Sequence, residues 1–569
     1  MGLVAVVSAL LLLGPALGPG SVLAYDLVPT LAPGLTPSML GASTAAPRTL
    51  PSDATLAVLA MLMGSGPAQQ LMLVAILALC GISAAALLHT VAPAAGRLAL
   101  AAATLAGVWN PYVAERLAIG QWTILLGYAL TGLLVRALIR ARHGHGVAPA
   151  CGILAVGGLG GANTMTILVI AVVAALAWPV AGSDGRRPAP LRPWLAALAT
   201  AAAASAVWAL PAIANGVRSA AEGSFAFRAR ADTPLGTPLS LLSGGGMWNA
   251  ASHPPSRAAV LPALAATVVA IAAVAALVVH VRRRRTGWIG GELLLAAGST
   301  SLVVVLCSVL PAFRQVWDAA LATTPGGGLL RDSHKLLACW VVLLAVGTGM
   351  AVERIGHARV RAIGPVAAVT LTVIPLALLP TLLWGLGGRL AAVTVPRDCT
   401  SVAASLEGAP DGVVGLLPWS QYRRYAWNGE RVSLSFAPRM IDQRLLVNDA
   451  LLTSGGWVAG EDPSAALVTR ALSRGADPVR ALAAAGVRYL FIEKVAGEPD
   501  VGLPPAAAVL AQSPCALAVD LGPPGALPAA GPSGLILAFG WVITLGGGAV
   551  VVLSAILRRR PCTFDETRG

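Results

Sequence analysis

Three groups of residues in this chain have the types and spacing for chemistry. Asp26 stands in "LAYDLVPTLAPGLTPSMLG", directly after an apolar run. Glu115 and Arg116 stand side by side in "VWNPYVAERLAIGQW" (108–122). Arg331, Asp332, His334 and Lys335 gather in "GGGLLRDSHKLLACW" (326–340), where another apolar run begins. A carboxylate can take a proton from a hydroxyl, and cations beside a helix N-terminus can hold a phosphate, because their charge adds to the field of the free N–H groups. Each group also has a purely structural reading. Asp26 would be a solvated flank of a membrane span, Glu115 and Arg116 an internal or loop-anchoring salt bridge, and the third cluster snorkelling cations with Asp332 as a helix cap. Asp53, in "PSDATLAVLAMLM", reads as a helix N-cap. The aromatic- and Arg-rich "PWSQYRRYAWNGER" (418–431) reads either as a carbohydrate or headgroup surface or as a packed junction.

The elements that position these groups are apolar. The 569 residues are 56% hydrophobic and 11% charged, about half the charged fraction of a soluble domain. A span needs about 20 apolar residues to cross the hydrocarbon core, and on that measure about twelve are expected. They fall at 3–24, 68–90, 98–113, 122–141, 148–162, 165–181, 193–213, 256–281, 290–311, 335–352, 363–387 and 533–557, with 148–181 open to being one re-entrant unit. The fold class is therefore a polytopic α-helical membrane protein: a multi-span region over 1–387, an extracytoplasmic α/β unit over 388–532, and a final span with a basic tail over 533–569. In the α/β unit, "DPVRALAAAGVRYLFIEK" has the order helix, glycine, strand.

Arginines set the expected orientation. Clusters at Arg136/Arg140/Arg142, Arg186/Arg187/Arg192, Arg282 to Arg285, Arg354/Arg359/Arg361 and Arg558 to Arg560 follow every second span. Basic loops stay cytoplasmic, so both termini are expected inside the plasma membrane and the three groups above on the outer face. The first span carries a signal-peptidase-like Val22-Leu23-Ala24 but no basic flank, which favours an uncleaved anchor. Topology and anionic lipid account for the net charge of +14, which excludes nucleic acid as a partner. Among the cations, Arg116, Arg331 and Lys335 break the pattern. Cys399 and Cys515 flank the hydrophilic region and are expected to pair, while Cys80, Cys151, Cys307 and Cys339 read as buried and Cys562 as a reduced tail residue. No His/Cys cluster suggests a metal.

A carboxylate, a Glu/Arg pair and a cation cluster on one face suit a reaction on a lipid-linked phosphosugar. At these residues the chain resembles the GT-C superfamily of integral-membrane glycosyltransferases. It is most similar to actinobacterial members, arabinofuranosyltransferase- or mannosyltransferase-like, that build cell-envelope glycans. The resemblance rests on the many spans, the acid in the first outward loop and the C-terminal extracytoplasmic unit, and on "NPYVAERLAIGQW" and "LLRDSHK". It implies Asp26 as catalytic base, Glu115 as a second or orienting acid, and Arg116, Arg331, His334 and Lys335 around the phosphate. The donor would be a polyprenyl-phosphate sugar, the acceptor a glycan or glycolipid, and the setting the bilayer. Family members often carry paired acids where this chain has Asp26 followed by Leu27. If Mg²⁺ or Mn²⁺ is bound, Asp26 with Glu115 would supply the oxygens. The alternatives are a non-catalytic envelope protein, such as a lipid-sugar flippase or assembly partner, and a secondary transporter. Against the transporter, no inverted repeat stands out and the span centres carry almost no charge.

Overall fold

A computed structural model describes residues 1–31, 34–177, 192–214, 221–283, 290–324, 326–357, 363–453, 456–498, 501–525 and 531–557. Arg186, Arg187, Arg284, Arg285, Arg359, Arg361, Arg558 to Arg560 and Cys562 lie outside them. Within them the basic clusters sit at helix ends: Arg140 and Arg142 close Trp122–Arg142, Arg282 and Arg283 close Val260–Arg283, and Arg354 lies in the last turn of Ala338–Gly356.

The chain is mostly helical, and each of the twelve expected spans falls on helix. Fewer of them pass on length and apolarity together. Among the described residues, 7 helices are long and apolar enough to cross a membrane, or 8 if the pair Gly364–Leu378 and Pro380–Gly388, bent by 64°, is one span. The remaining apolar runs are cut by glycine and proline. The first does not extend over 3–24: helix Gly2–Leu13 gives way at Gly14-Pro15 to a 3-10 turn ending at Leu17. Proline cannot donate the next helical hydrogen bond and glycine weakens helix, so an apolar composition overstates helix length. Of the stretch 148–181, the described residues 148–177 hold two short helices, Ala148–Gly158 and Gly161–Ala177. Asn110-Pro111 likewise ends Arg97–Val108 and starts Pro111–Ala118, a helix buried along its whole length.

The second half carries a five-stranded mixed sheet, in the order Ala508–Gln512, Ala516–Asp520, Tyr489–Glu493, Val413–Leu417, Arg444–Leu446. The strands Val413–Leu417 and Tyr489–Glu493 are buried throughout, paired parallel, and covered on one side by helices Pro463–Ser473 and Pro478–Ala484. Asp462 and Asp477 cap these two helices. Gly486, at φ 84°, turns the second helix into the strand Tyr489–Glu493. Cys399, on helix Arg397–Ala404, is joined to Cys515 beside the strand Ala516–Asp520. Cys80, Cys151, Cys307 and Cys339 are free, and all but the half-buried Cys307 are fully buried.

The bridge closes a loop of 116 residues around most of the sheet. Replacing both cysteines by serine should lower the stability of this unit by about 2–5 kcal/mol. Maleimide labelling of the unfolded chain checks the pairing: Cys399 and Cys515 should react only after reduction, and labelling before it would show the pair to be wrong.

Candidate functional site

Asp26 is held where three separate pieces of chain meet. Its backbone N–H donates to the Ile119 carbonyl (3.1 Å), just past helix Pro111–Ala118. Asn110 starts that helix, its side chain accepting from the Val113 N–H (2.9 Å). Gly120, at φ 70°, lets the chain turn into Trp122–Arg142, and a Cβ there would lie 2.3 Å from the Leu27 nitrogen. Only glycine allows this approach. On the other side Tyr25, itself at φ 47°, donates from its N–H to the Val432 carbonyl (2.6 Å) and accepts from the Leu434 N–H (2.9 Å). Strand Val432–Leu434 belongs to an antiparallel hairpin with Tyr422–Arg424.

The hairpin brings Tyr422, whose hydroxyl donates to Asp26 Oδ1 (2.9 Å), while Gln121 Nε2 donates to Oδ2 (3.1 Å). Gln121 Oε1 accepts from Arg116 (2.6 Å), and Arg116 grips both oxygens of Asp332 (2.5 and 3.0 Å). Tyr422, Asp26, Gln121, Arg116 and Asp332 thus form one hydrogen-bonded run. Arg116 also reaches His334 Nδ1 at 3.0 Å, and His334 stacks on Tyr112. Burial raises the Asp26 carboxyl above its ordinary range, against the bonds from Tyr422 and Gln121 and the charges of Arg439 and Arg116. Burial pushes Asp332 the same way, but the Arg116 charge and its hydrogen bonds hold it below the usual range.

Glu115 points elsewhere. Its oxygens accept from the Gly246 and Met247 N–H groups (3.1 Å each), and Oε2 lies 3.5 Å from His334 Nε2. Burial, then the nearby Asp232 carboxylate, raises it well above its ordinary range. Asp232 is paired with Arg257. Glu115 and Arg116, neighbours in sequence, therefore serve different partners. Glu115 and Asp26 thus take separate partners, Gly246, Met247 and His334 for the one and Gln121 and Tyr422 for the other. Among the described residues no group of three His, Cys, Asp or Glu side chains could hold a metal ion.

Lys335 is buried and donates to Asn163 Oδ1 (3.1 Å); its carbonyl accepts from Tyr112 (2.7 Å). Arg331 donates to Glu461 Oε1 (3.2 Å) and lies over the Phe227 ring. Asp332 makes no capping bond. Neither does Asp53, whose carboxylate takes Arg439 instead (3.0 Å).

Tyr422, Gln121, Arg48, Asn163 and Glu461 complete the surroundings and were not singled out by sequence. Tyr422 lies in the aromatic stretch 418–431, most of which is packing: Arg423 is ion-paired with Glu493 (2.7 Å), and Tyr425 and Trp427 stack together. Trp122, which reads as an interfacial residue, is buried.

No family model and no curated protein matches this sequence. Solved structures do. Arabinofuranosyltransferase AftD from Mycobacteria aligns with a TM-score of 0.56 at 16% identity, over 91% of this chain and 39% of that one. A mutant form of the same enzyme aligns at 0.59 and 16% identity in one class and 0.55 and 15% in another, each over 91% of this chain and 41% of that one. The chain thus spans about two-fifths of the structures it matches. At this identity the likeness is one of fold alone.

Asp332→Ala would leave the fully buried Arg116 guanidinium without its counter-charge. The expected cost is about 3–5 kcal/mol, read as a lower unfolding temperature of the detergent-solubilised chain. An unchanged midpoint would show that Arg116 is neutralised by another group.

Proposed function

We propose that this chain is a membrane glycosyltransferase that moves a sugar from a polyprenyl-phosphate donor to a cell-envelope glycan or glycolipid on the outer face of the plasma membrane. The observation that carries this reading is Asp26: a half-buried carboxylate, pinned by Gln121 and Tyr422 among arginines, in a fold shared with an arabinofuranosyltransferase. The arginine clusters at helix ends support this orientation, with both termini in the cytoplasm and Asp26 outside.

In this reading the acceptor hydroxyl oxygen attacks the anomeric carbon, its proton passes to Asp26, and the bond to the phosphate oxygen breaks with its electrons leaving on the polyprenyl phosphate. One displacement inverts the anomeric centre. Each carboxylate oxygen accepts one hydrogen bond here and keeps a second lone-pair direction for the substrate proton. Raised basicity suits a base. Arg331 and Lys335 face the leaving phosphate. Arg116 and Asp332 act through Gln121 to hold Asp26 in place, and His334 and Glu115 continue that buried support inward. The sheet unit would grip the acceptor.

Asp26→Asn should abolish transfer from defined polyprenyl-phosphate sugars while folding and insertion stay normal. Envelope glycans unchanged in Asp26→Ala cells, but defective on full deletion, would favour the non-catalytic alternative, a flippase or assembly partner. The pH profile gives a second check. The base works deprotonated, so the rate should rise with pH through a value above the ordinary carboxylate range. Tyr422→Phe removes a hydrogen bond that favours the charged form, so this acid limb should move to higher pH. A limb that stays in place would exclude Asp26 as the titrating group.

A further inference from the structure

The arginines around Asp26 differ in what they are free to do. Arg116 is closed off, fully buried and bidentate to Asp332. Arg48 and Arg331 instead share one carboxylate. Arg48 bonds Glu461 Oε2 at 2.9 Å and Arg331 bonds Oε1 at 3.2 Å, so each guanidinium takes one oxygen. The Arg48 side chain is 43% exposed, against 12% for Arg331 and 6% for Glu461, so the trio opens to solvent on the Arg48 side. Glu461 arrives on a loop that is built to present it. Asp449 Oδ2 accepts from the N–H groups of Glu461 (2.6 Å) and Asp462 (3.0 Å), and Asp462 accepts from the Thr44 hydroxyl (2.6 Å). Phe227 supports the Arg331 plane from below, 4.6 Å away. The trio adjoins the site, because Arg331 directly precedes Asp332, the carboxylate that grips Arg116.

We propose that Arg48 and Arg331 form a phosphate site and that the Glu461 carboxylate occupies it as an internal substitute, leaving when phosphate enters. A carboxylate spanning two guanidiniums, one oxygen to each, has the two-point pattern of two phosphate oxygens. Assigning that phosphate to a lipid-linked donor rests on the function proposed above; the binding itself does not. With such a donor, charge decides when Glu461 yields. The donor phosphodiester carries one negative charge, as does Glu461. The departing phosphate monoester carries about two, once the bond to the anomeric carbon has broken. Two guanidiniums therefore hold the departing phosphate against Glu461 more strongly than they hold the intact donor, which stabilises the leaving group selectively.

The test uses the full chain in alkyl maltoside micelles, which contain no phosphate, titrated with inorganic phosphate and with farnesyl phosphate by calorimetry. If Glu461 fills the site about nine-tenths of the time, Glu461→Gln should tighten binding of both probes about tenfold. Arg48→Gln, at an exposed position, should weaken both. Farnesyl phosphate binding tighter than inorganic phosphate supports a lipid-linked source, and equal affinity overturns that source. Unchanged or weaker binding in Glu461→Gln, or unchanged binding in Arg48→Gln, overturns the site. Failure here is separable from failure of the transferase reading. Phosphate binding without any transfer by the unmodified chain would sink the transferase and leave the site.

Discussion

The burial of Arg116 is the constraint on which the rest of the site depends. A guanidinium cannot shed its charge, so removing it from water requires a partner of matching shape and sign. Asp332 supplies both, with two parallel bonds. That pair ties helix Pro111–Ala118 to the segment that opens helix Ala338–Gly356, more than two hundred positions later in the chain. Arg116 has donors to spare, and it spends them on Gln121 and His334. The side-chain amide of Gln121 is thereby oriented: with its oxygen on Arg116, its N–H must face Asp26.

From that anchor, the carboxylates of Glu115 and Asp26 acquire opposite characters. Glu115 is fully buried, capped by two backbone N–H groups and pressed against a second acid. Nothing there admits a substrate hydroxyl. Asp26 is half-buried, meets two neutral donors and faces the arginines of two other segments. Burial raises the proton affinity of both, but only Asp26 keeps part of its surface exposed.

Sequence made the helical elements and the residue types legible, because apolar runs and arginine clusters follow from the bilayer itself. It did not give span lengths, since Gly14-Pro15 and Asn110-Pro111 end helices inside stretches that remain apolar throughout. Asp26, Arg116 and Arg331 stood out as charges in apolar surroundings. Tyr422 and Gln121 did not, because neutral polar residues carry no such contrast. Glu461 was invisible for another reason: acids are ordinary in a hydrophilic unit, and only the fold sets it between Arg48 and Arg331. The clue for Tyr422 was the density of aromatics over 418–431, which has two explanations. The packed junction holds for Tyr425 and Trp427, which stack on each other, while Tyr422, on the same stretch, bonds Asp26.

The sheet unit is consequently part of the site rather than an appendage to it. Its hairpin bonds the backbone of Tyr25 on both sides, its Tyr422 completes the hydrogen bonds of Asp26, and its Glu461 bridges two arginines. Arg439 from the same half pairs with Asp53 on helix Ser52–Met63. Asp26 itself lies on an irregular segment whose rigidity is borrowed. One side is fixed by Ile119 and Gly120, the other by Val432 and Leu434. Because both attachments are backbone bonds, side-chain substitution cannot easily loosen them. A shift of the sheet unit would instead displace Tyr25, Tyr422 and Glu461 together. The basicity of Asp26 and the charge offered by Arg48 and Arg331 would then change in one movement. A site assembled from distant segments in this way couples the surroundings of Asp26 to those of Arg48 and Arg331 through the position of a single unit.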